Sequence, residues 1–224
     1  MRLVRLLAAF FVCLIWTASS WAANVLDLKT EYSATSTIGT GPDARHGQLW
    51  RTPEALRHET VEAGRPQIVI ARLDRKLAWL LLPDQKLAVE MGLDAVGLPP
   101  EILTGVGMRQ TPVGQETVAG RRTTKVRIQR EAEGGGPRID GYVWTTGEGI
   151  IMKLVGATEL EGRRGALDMS FGNVRVGRQD PALFELPQGY RRLALKGMNL
   201  ATLLAGIEQM RALQNRLGGV VAPR

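Results

Sequence analysis

The sequence predicts an α+β fold: an antiparallel meander of about ten strands covered by one C-terminal amphipathic helix. Three observations carry that prediction. Apolar and polar side chains alternate with period two from about residue 28 to about residue 185. Turn-forming pairs recur at short intervals through the same region, and beyond Asn199 the apolar spacing changes to that of a helix.

The first 23 residues stand apart. Arg2 and Arg5 make a short basic region, Leu6 to Trp16 is almost unbroken apolar sequence, and Ser20-Trp21-Ala22 supplies small residues at −3 and −1 of a cleavage site near Ala22 or Ala23. An apolar run of that length is too short to span a bilayer comfortably. The expectation is an exported chain with a signal peptide at 1–23, one domain at 24–195, a covering helix at 196–219 and a tail at 220–224.

Cys13 is the one cysteine of the chain and lies in the leader, so the mature protein would have neither disulfides nor thiolate metal sites. Phe10-Phe11-Val12 before it lacks the small residues of a lipid-attachment site. Losing Arg2 and Arg5 takes the formal net charge of +7 down to +5, ordinary for a soluble domain and little support for nucleic-acid binding.

Each strand has its own signature. Leu28, Thr30, Tyr32 and Ala34 alternate with Lys29, Glu31 and Ser33; Leu87, Val89 and Met91 repeat the pattern, as do Val126 with Ile128 and Ile139 with Val143. Leu167, Met169 and Phe171 share a phase that Val174 and Val176 break, and a bulge at Gly172-Asn173 accounts for the slip. Ala63-Gly64, Pro83-Asp84, Ala119-Gly120, Gly134-Gly135-Gly136, Gly147-Glu148-Gly149 and Glu161-Gly162 supply the turns of a meander. Gly92 to Met108, with Pro99-Pro100, reads as a longer loop or a short helix.

Leu77 to Leu82 is apolar on both faces, and Ile150-Ile151-Met152 nearly so. Such strands need cover on each side, either from the protein's own elements or around a lined cavity. From Asn199, an N-cap residue, Leu200, Leu203, Leu204, Ile207, Met210, Leu213 and Leu217 follow helical spacing until Gly218-Gly219. That helix suits closure of the core, a lid over a cavity mouth, or adsorption to a membrane surface.

Catalytic signatures are sparse. His46 and His58 have no spaced partners for zinc, Ser170 lies in strand-like sequence rather than a nucleophile elbow, and Gly105 to Gln110 fails the dinucleotide fingerprint. The pair Glu159 and Glu161 is of a kind that chance supplies. Arg121-Arg122, Arg163-Arg164 and Arg191-Arg192 sit at turns or strand ends, where charge protects an edge or docks an acidic partner. The expectation is a non-enzyme with no cofactor and no metal.

One segment is more specific. Gly47-Gln48-Leu49-Trp50-Arg51-Thr52-Pro53, then Leu73-Asp74, Leu77-Ala78-Trp79-Leu80 and Pro83-Asp84, resembles the opening of the LolA-like superfamily, the periplasmic outer-membrane lipoprotein carriers and their relatives. Phe184-Glu185-Leu186-Pro187-Gln188-Gly189 is similar to the family's closing Phe-x-x-Pro-x-Gly. Gly114 to Gly120, Thr123 to Val126 and Tyr142-Val143-Trp144 resemble an uncharacterised periplasmic branch more than the carrier itself. The resemblance spans about residues 25–193. It implies a periplasmic protein whose strongly curved antiparallel sheet, an incomplete, half-open barrel, holds acyl chains on its concave apolar face beneath helices.

On that resemblance the cavity lining is Leu49, Ile68, Ile70, Leu77, Trp79, Leu81, Val126, Ile128, Ile150 and Met152, and the lid is Leu200, Leu203, Leu204, Ile207 and Met210. The implied partner is a lipid or an acylated lipoprotein, with an inner- or outer-membrane protein as donor or acceptor. The alternative is an envelope-stress sensor or protein-interaction module of the same fold. The chain departs from the carrier at Thr52, where the carrier has an arginine that holds its lid; Arg57 is the nearest substitute.

Overall fold

Period-two sequence has to form strands, and the computed structural model, which describes residues 29–62, 64–93, 107–131, 138–160 and 162–194, shows twelve of them. They are β1 (Tyr32–Ile38), β2 (Arg45–Arg51), β3 (Ala55–Glu62), β4 (Arg65–Arg72), β5 (Leu77–Leu82) and β6 (Leu87–Gly92). Then follow β7 (Arg109–Val118), β8 (Arg121–Arg130), β9 (Arg138–Thr145), β10 (Ile151–Leu160), β11 (Arg163–Val176) and β12 (Arg191–Ala194).

All belong to one sheet in the order β12-β6-β5-β4-β3-β2-β1-β11-β10-β9-β8-β7. Two meanders, β1 to β6 and β7 to β11, therefore join edge to edge at the antiparallel pair β1/β11. The short β12 lies parallel on β6, and every other ladder is antiparallel.

The expected class is corrected by this arrangement. The described residues contain no α-helix, so α+β with a covering helix is replaced by a nearly all-β sheet of twelve strands. The undercount has a physical cause at the edges. β7 and β12 bury little, eight of the ten β7 residues and all of β12 being exposed, so neither carries an apolar alternation. The expected leader and the expected helix from Asn199, with Leu200, Leu203, Leu204, Ile207 and Met210, fall outside the described residues.

The slip at Gly172-Asn173 is a bulge. Ser33 pairs with Arg175 and Thr35 with Gly172, so Asn173 and Val174 together oppose Ala34, and Asn173 takes a φ of 48°. The sheet also curls. Val118, at the end of edge strand β7, packs against the cluster of Tyr32, Ala34, Leu49, Ile150, Met152 and Phe171, whose nearest strand is three positions away. On a flat sheet three positions are about 14 Å, beyond the reach of a valine.

Gly141 and Gly156 face each other across β9 and β10. A Cβ on Gly156 would meet Gly141 Cα and the Asp140 carbonyl at 2.6 Å, so the pair lets the two strands close up. Gly156→Val is expected to destabilise the protein by about 1–3 kcal/mol. Urea denaturation checks this against Gly114→Val, where a Cβ meets nothing within 4 Å and little change is expected.

Candidate functional site

Cross-strand partners share a face, so the register sorts every side chain. One face carries Ile68 and Ile70 of β4, Leu77, Trp79 and Leu81 of β5, and Ala88 of β6. Its cover is the chain that leaves β11. The Gly177 N–H donates to the Glu31 carbonyl at 3.0 Å, and the Gln179 N–H to the Glu31 carboxylate at 2.7 Å. A 3-10 turn at Pro181–Phe184, capped by the Asp180 side chain, then inserts Phe184 among Ala55, Ile70, Trp79, Leu81 and Ala88. Leu183, Leu186 and Tyr190 flank it, and the segment ends by delivering β12 to β6.

Arginines hold this strap. Arg57 Nη1 donates to the Leu183 carbonyl at 3.0 Å while its Nε binds Glu59 at 2.7 Å. Arg72 engages Glu185 and grips Asp74 with two bonds of 2.9 and 2.7 Å; Arg75 reaches Glu185 at 3.1 Å. The hydrogen bonds from Arg72 keep the Asp74 carboxyl below its ordinary range. Arg57 thus belongs to the strap and sits on the side away from any lid over the other face.

The other half of the strapped face is polar. Lys125 lies 4.9 Å and Lys153 5.0 Å from the Trp144 ring, and the Trp144 indole donates to Glu116 at 2.7 Å. Arg127 pairs with Asp140 at 3.0 Å.

The opposite face is apolar across ten strands, from β6 to β8. Val89, Leu80, Ala71 and Leu56 lead into Leu49, Tyr32, Ala34 and Phe171, and those into Leu154, Val143, Val126 and Ile128. Three buried clusters make it up, and they are continuous. Leu56 packs on the first and second, and Ile151 and Met169 on the second and third.

The ten residues expected to line one cavity are therefore divided. Leu49, Val126, Ile128, Ile150 and Met152 contribute to the continuous face, whereas Ile68, Ile70, Leu77, Trp79 and Leu81 lie beneath the strap.

Polar groups interrupt the continuous face at a few places. His58 Nε2 and Ser36 Oγ share a 2.7 Å hydrogen bond that passes over Gly47 of the intervening strand. A Cβ on Gly47 would lie 3.0 Å from His58 Nε2 and 2.3 Å from the Glu59 carbonyl, so this crossing requires glycine. Glu59 itself points to the strapped face and binds Arg57. Further along, Arg51 and Tyr32 are cross-strand partners, 3% and 2% exposed. Burial raises the Tyr32 phenol, against the pull of Arg51, and lowers the Arg51 guanidinium. The sequence signal for Arg51 was its phase, two residues from Leu49, which its charge disguised.

The remaining candidates are accounted for. His46 bonds Thr37 in an exposed position, Ser170 lies within β11 facing away from the continuous face, and no metal-holding group of His, Cys, Asp and Glu occurs among the described residues. Arg121 binds the Val174 carbonyl at 3.1 Å, Arg122 binds Gln115, Arg164 pairs with Glu159 at 3.4 Å, and Arg192 pairs with Glu90.

Two experiments follow from this geometry. Phe184→Ala should cost about 3–5 kcal/mol in thermal or urea unfolding, since it removes the side chain that seals the strapped face. Burial, aided by Arg45 and opposed by Glu59, lowers the His58 pKa below its ordinary 6.5. The unfolded chain then takes up a proton before the folded one does, so stability falls as pH drops below about 6.5. The urea midpoint of His58→Gln should decline less between pH 7 and 5 than that of the wild type.

No protein-family model matches the chain, and no curated protein matches it. Among solved structures the chain is similar to an uncharacterized conserved protein from Thermus thermophilus, at 15% identity and a TM-score of 0.50, covering 78% of this chain and 99% of that one. It is also similar to MucB in complex with MucA(peri), at 16% identity and a TM-score of 0.46, covering 80% of this chain and 62% of that one. A putative outer membrane lipoprotein-sorting protein domain from Vibrio parahaemolyticus matches at 10% identity and a TM-score of 0.35, over 69% of this chain and 89% of that one. The fold is thus one that the Thermus protein shares, over nearly all of its length.

Proposed function

We propose that the protein is an exported, non-catalytic binder of an acyl chain, presented by a lipid or an acylated lipoprotein, on the continuous apolar face. One observation supports this above the rest: that face runs apolar across ten strands of a curled sheet. A buried methylene is worth about 0.8 kcal/mol, so a sixteen-carbon chain shielded from water gains on the order of 10 kcal/mol. That is ample for holding an acyl chain in an aqueous compartment. The leader-like start, with Arg2, Arg5 and the apolar run after them, fits delivery to the periplasm.

A second reading, an interaction module or envelope-stress sensor, draws on the sheet edge. β7 is ten residues long and almost wholly exposed, with Val113 at 55%, and an edge strand of this kind can accept an extended peptide.

Lipid extraction and mass spectrometry of the mature protein, purified from the periplasm without detergent, tests the first reading. A stoichiometric phospholipid, fatty acid or acylated peptide is expected. Protein that is free of lipid and takes up no added fatty acid overturns it, and puts the interaction module first.

A further inference from the structure

We infer that the outer edge of β7 takes an acidic extended peptide as a thirteenth strand, paired along Gly114–Val118. The inference rests on the interaction-module reading and adds to it the partner's charge and register; acyl binding on the continuous face stands or falls without it.

β7 ends the sheet, and among the described residues β8 is its one strand neighbour. The outer edge is regular over only part of its length. Pro112 has no N–H, and the register slips between Pro112 and Gly114, so regular pairing starts at Gly114. At the other end Ala119 and Gly120, with φ of 47° and 76°, form a two-residue turn that makes Val118 and Arg121 a hydrogen-bonded pair. Antiparallel alternation from that pair turns Val118, Glu116 and Gly114 toward β8, and the backbone N–H and C=O groups of Gln115 and Thr117 outward. The Thr123 hydroxyl donates to the Glu116 carbonyl at 2.7 Å, in keeping with an inward Glu116. Two donors and two acceptors thus face outward at the spacing an added strand needs.

Charge selects the strand. The β7–β8 hairpin holds Arg109, Arg121, Arg122, Lys125, Arg127 and Arg130 against Glu116 alone, a formal +5 that equals the net charge of the whole chain without Arg2 and Arg5. Arg127 pairs with Asp140, Arg121 lies 3.7 Å from Glu148 and Lys125 binds Glu116. Among the described residues Arg109 and Arg122 pair with no carboxylate, and both are exposed. Arg122 is the cross-strand partner of Thr117, and its Nε donates to the Gln115 side chain at 2.9 Å. A carboxylate opposite Thr117 stands on the face of Arg122 and is a stronger acceptor for it than a neutral amide. The same charge opposes a second copy of this chain, since β7 against β7 sets like charge beside like.

The test is fluorescence anisotropy of the full mature chain with a short labelled peptide of alternating valine and glutamate, and with its lysine counterpart. The acidic peptide should bind about tenfold more tightly, and the margin should shrink as salt is raised. Arg122→Glu should bring the two peptides within about threefold. Gln115→Pro removes an outward N–H and leaves the β8 ladder whole, and should weaken the acidic peptide about tenfold. In the wild type, hydrogen exchange at the Gln115 and Thr117 amides should slow when the acidic peptide binds. Equal affinity for the two peptides overturns the inference and leaves the interaction module standing. So does an acidic preference that brings no protection to Gln115 and Thr117, which would put the site elsewhere. If neither peptide binds and neither amide is protected, docking on β7 itself fails. The wild-type affinities and amide protection decide the matter even if Gln115→Pro does not fold.

Discussion

A strand that is apolar on both faces must be covered twice, and the Leu77–Leu82 strand sets that requirement for the whole molecule. Its odd-numbered residues point one way and its even-numbered residues the other. The strap from Gly177 to Tyr190 answers the first demand, with Phe184 as the plug and Arg57 and Arg72 as the ties. One side of that strand is thus closed by a segment that leads into only four residues of the sheet.

Charge follows the same division. On the strapped face arginines and lysines stand beside carboxylates or over aromatic rings, in contact with water, where each pair is worth little and mainly holds position. On the continuous face polar groups are few and buried, so each has a larger energetic consequence. The Ser36–His58 bond satisfies two of them and needs Gly47 to do so. Arg51 is the most demanding, because a buried cation is costly unless its surroundings compensate it.

The alternation, the turns and even the Asn173 bulge were legible in the sequence, because each leaves a local mark: a period, a Gly pair, a phase slip. Three things were not. Edge strands β7 and β12 pair on one side only and bury almost nothing, so selection for apolar residues is absent there. The facing of β4 and β5 was ambiguous because both phases are apolar, and only the strap, roughly a hundred residues later, breaks the tie. That is why half of the expected lining lies under Phe184. Arg51 escaped notice for the opposite reason, since a charge is taken as a sign of solvent although its neighbours in phase are buried.

The joining of the two meanders has a kinetic consequence. Within each, every ladder links strands adjacent in sequence, so both can assemble early and independently. The seam is different: Thr35 meets Asn173 and Glu31 meets Gln179, across 138 and 148 residues of chain. Closing so long a loop is the step that costs most entropy before it returns any contact. Until it closes, Trp79, Ile70 and Leu81 have no Phe184 to cover them. Exposed apolar surface of that kind makes a half-folded chain prone to aggregate, so the price of the long seam falls on the first meander.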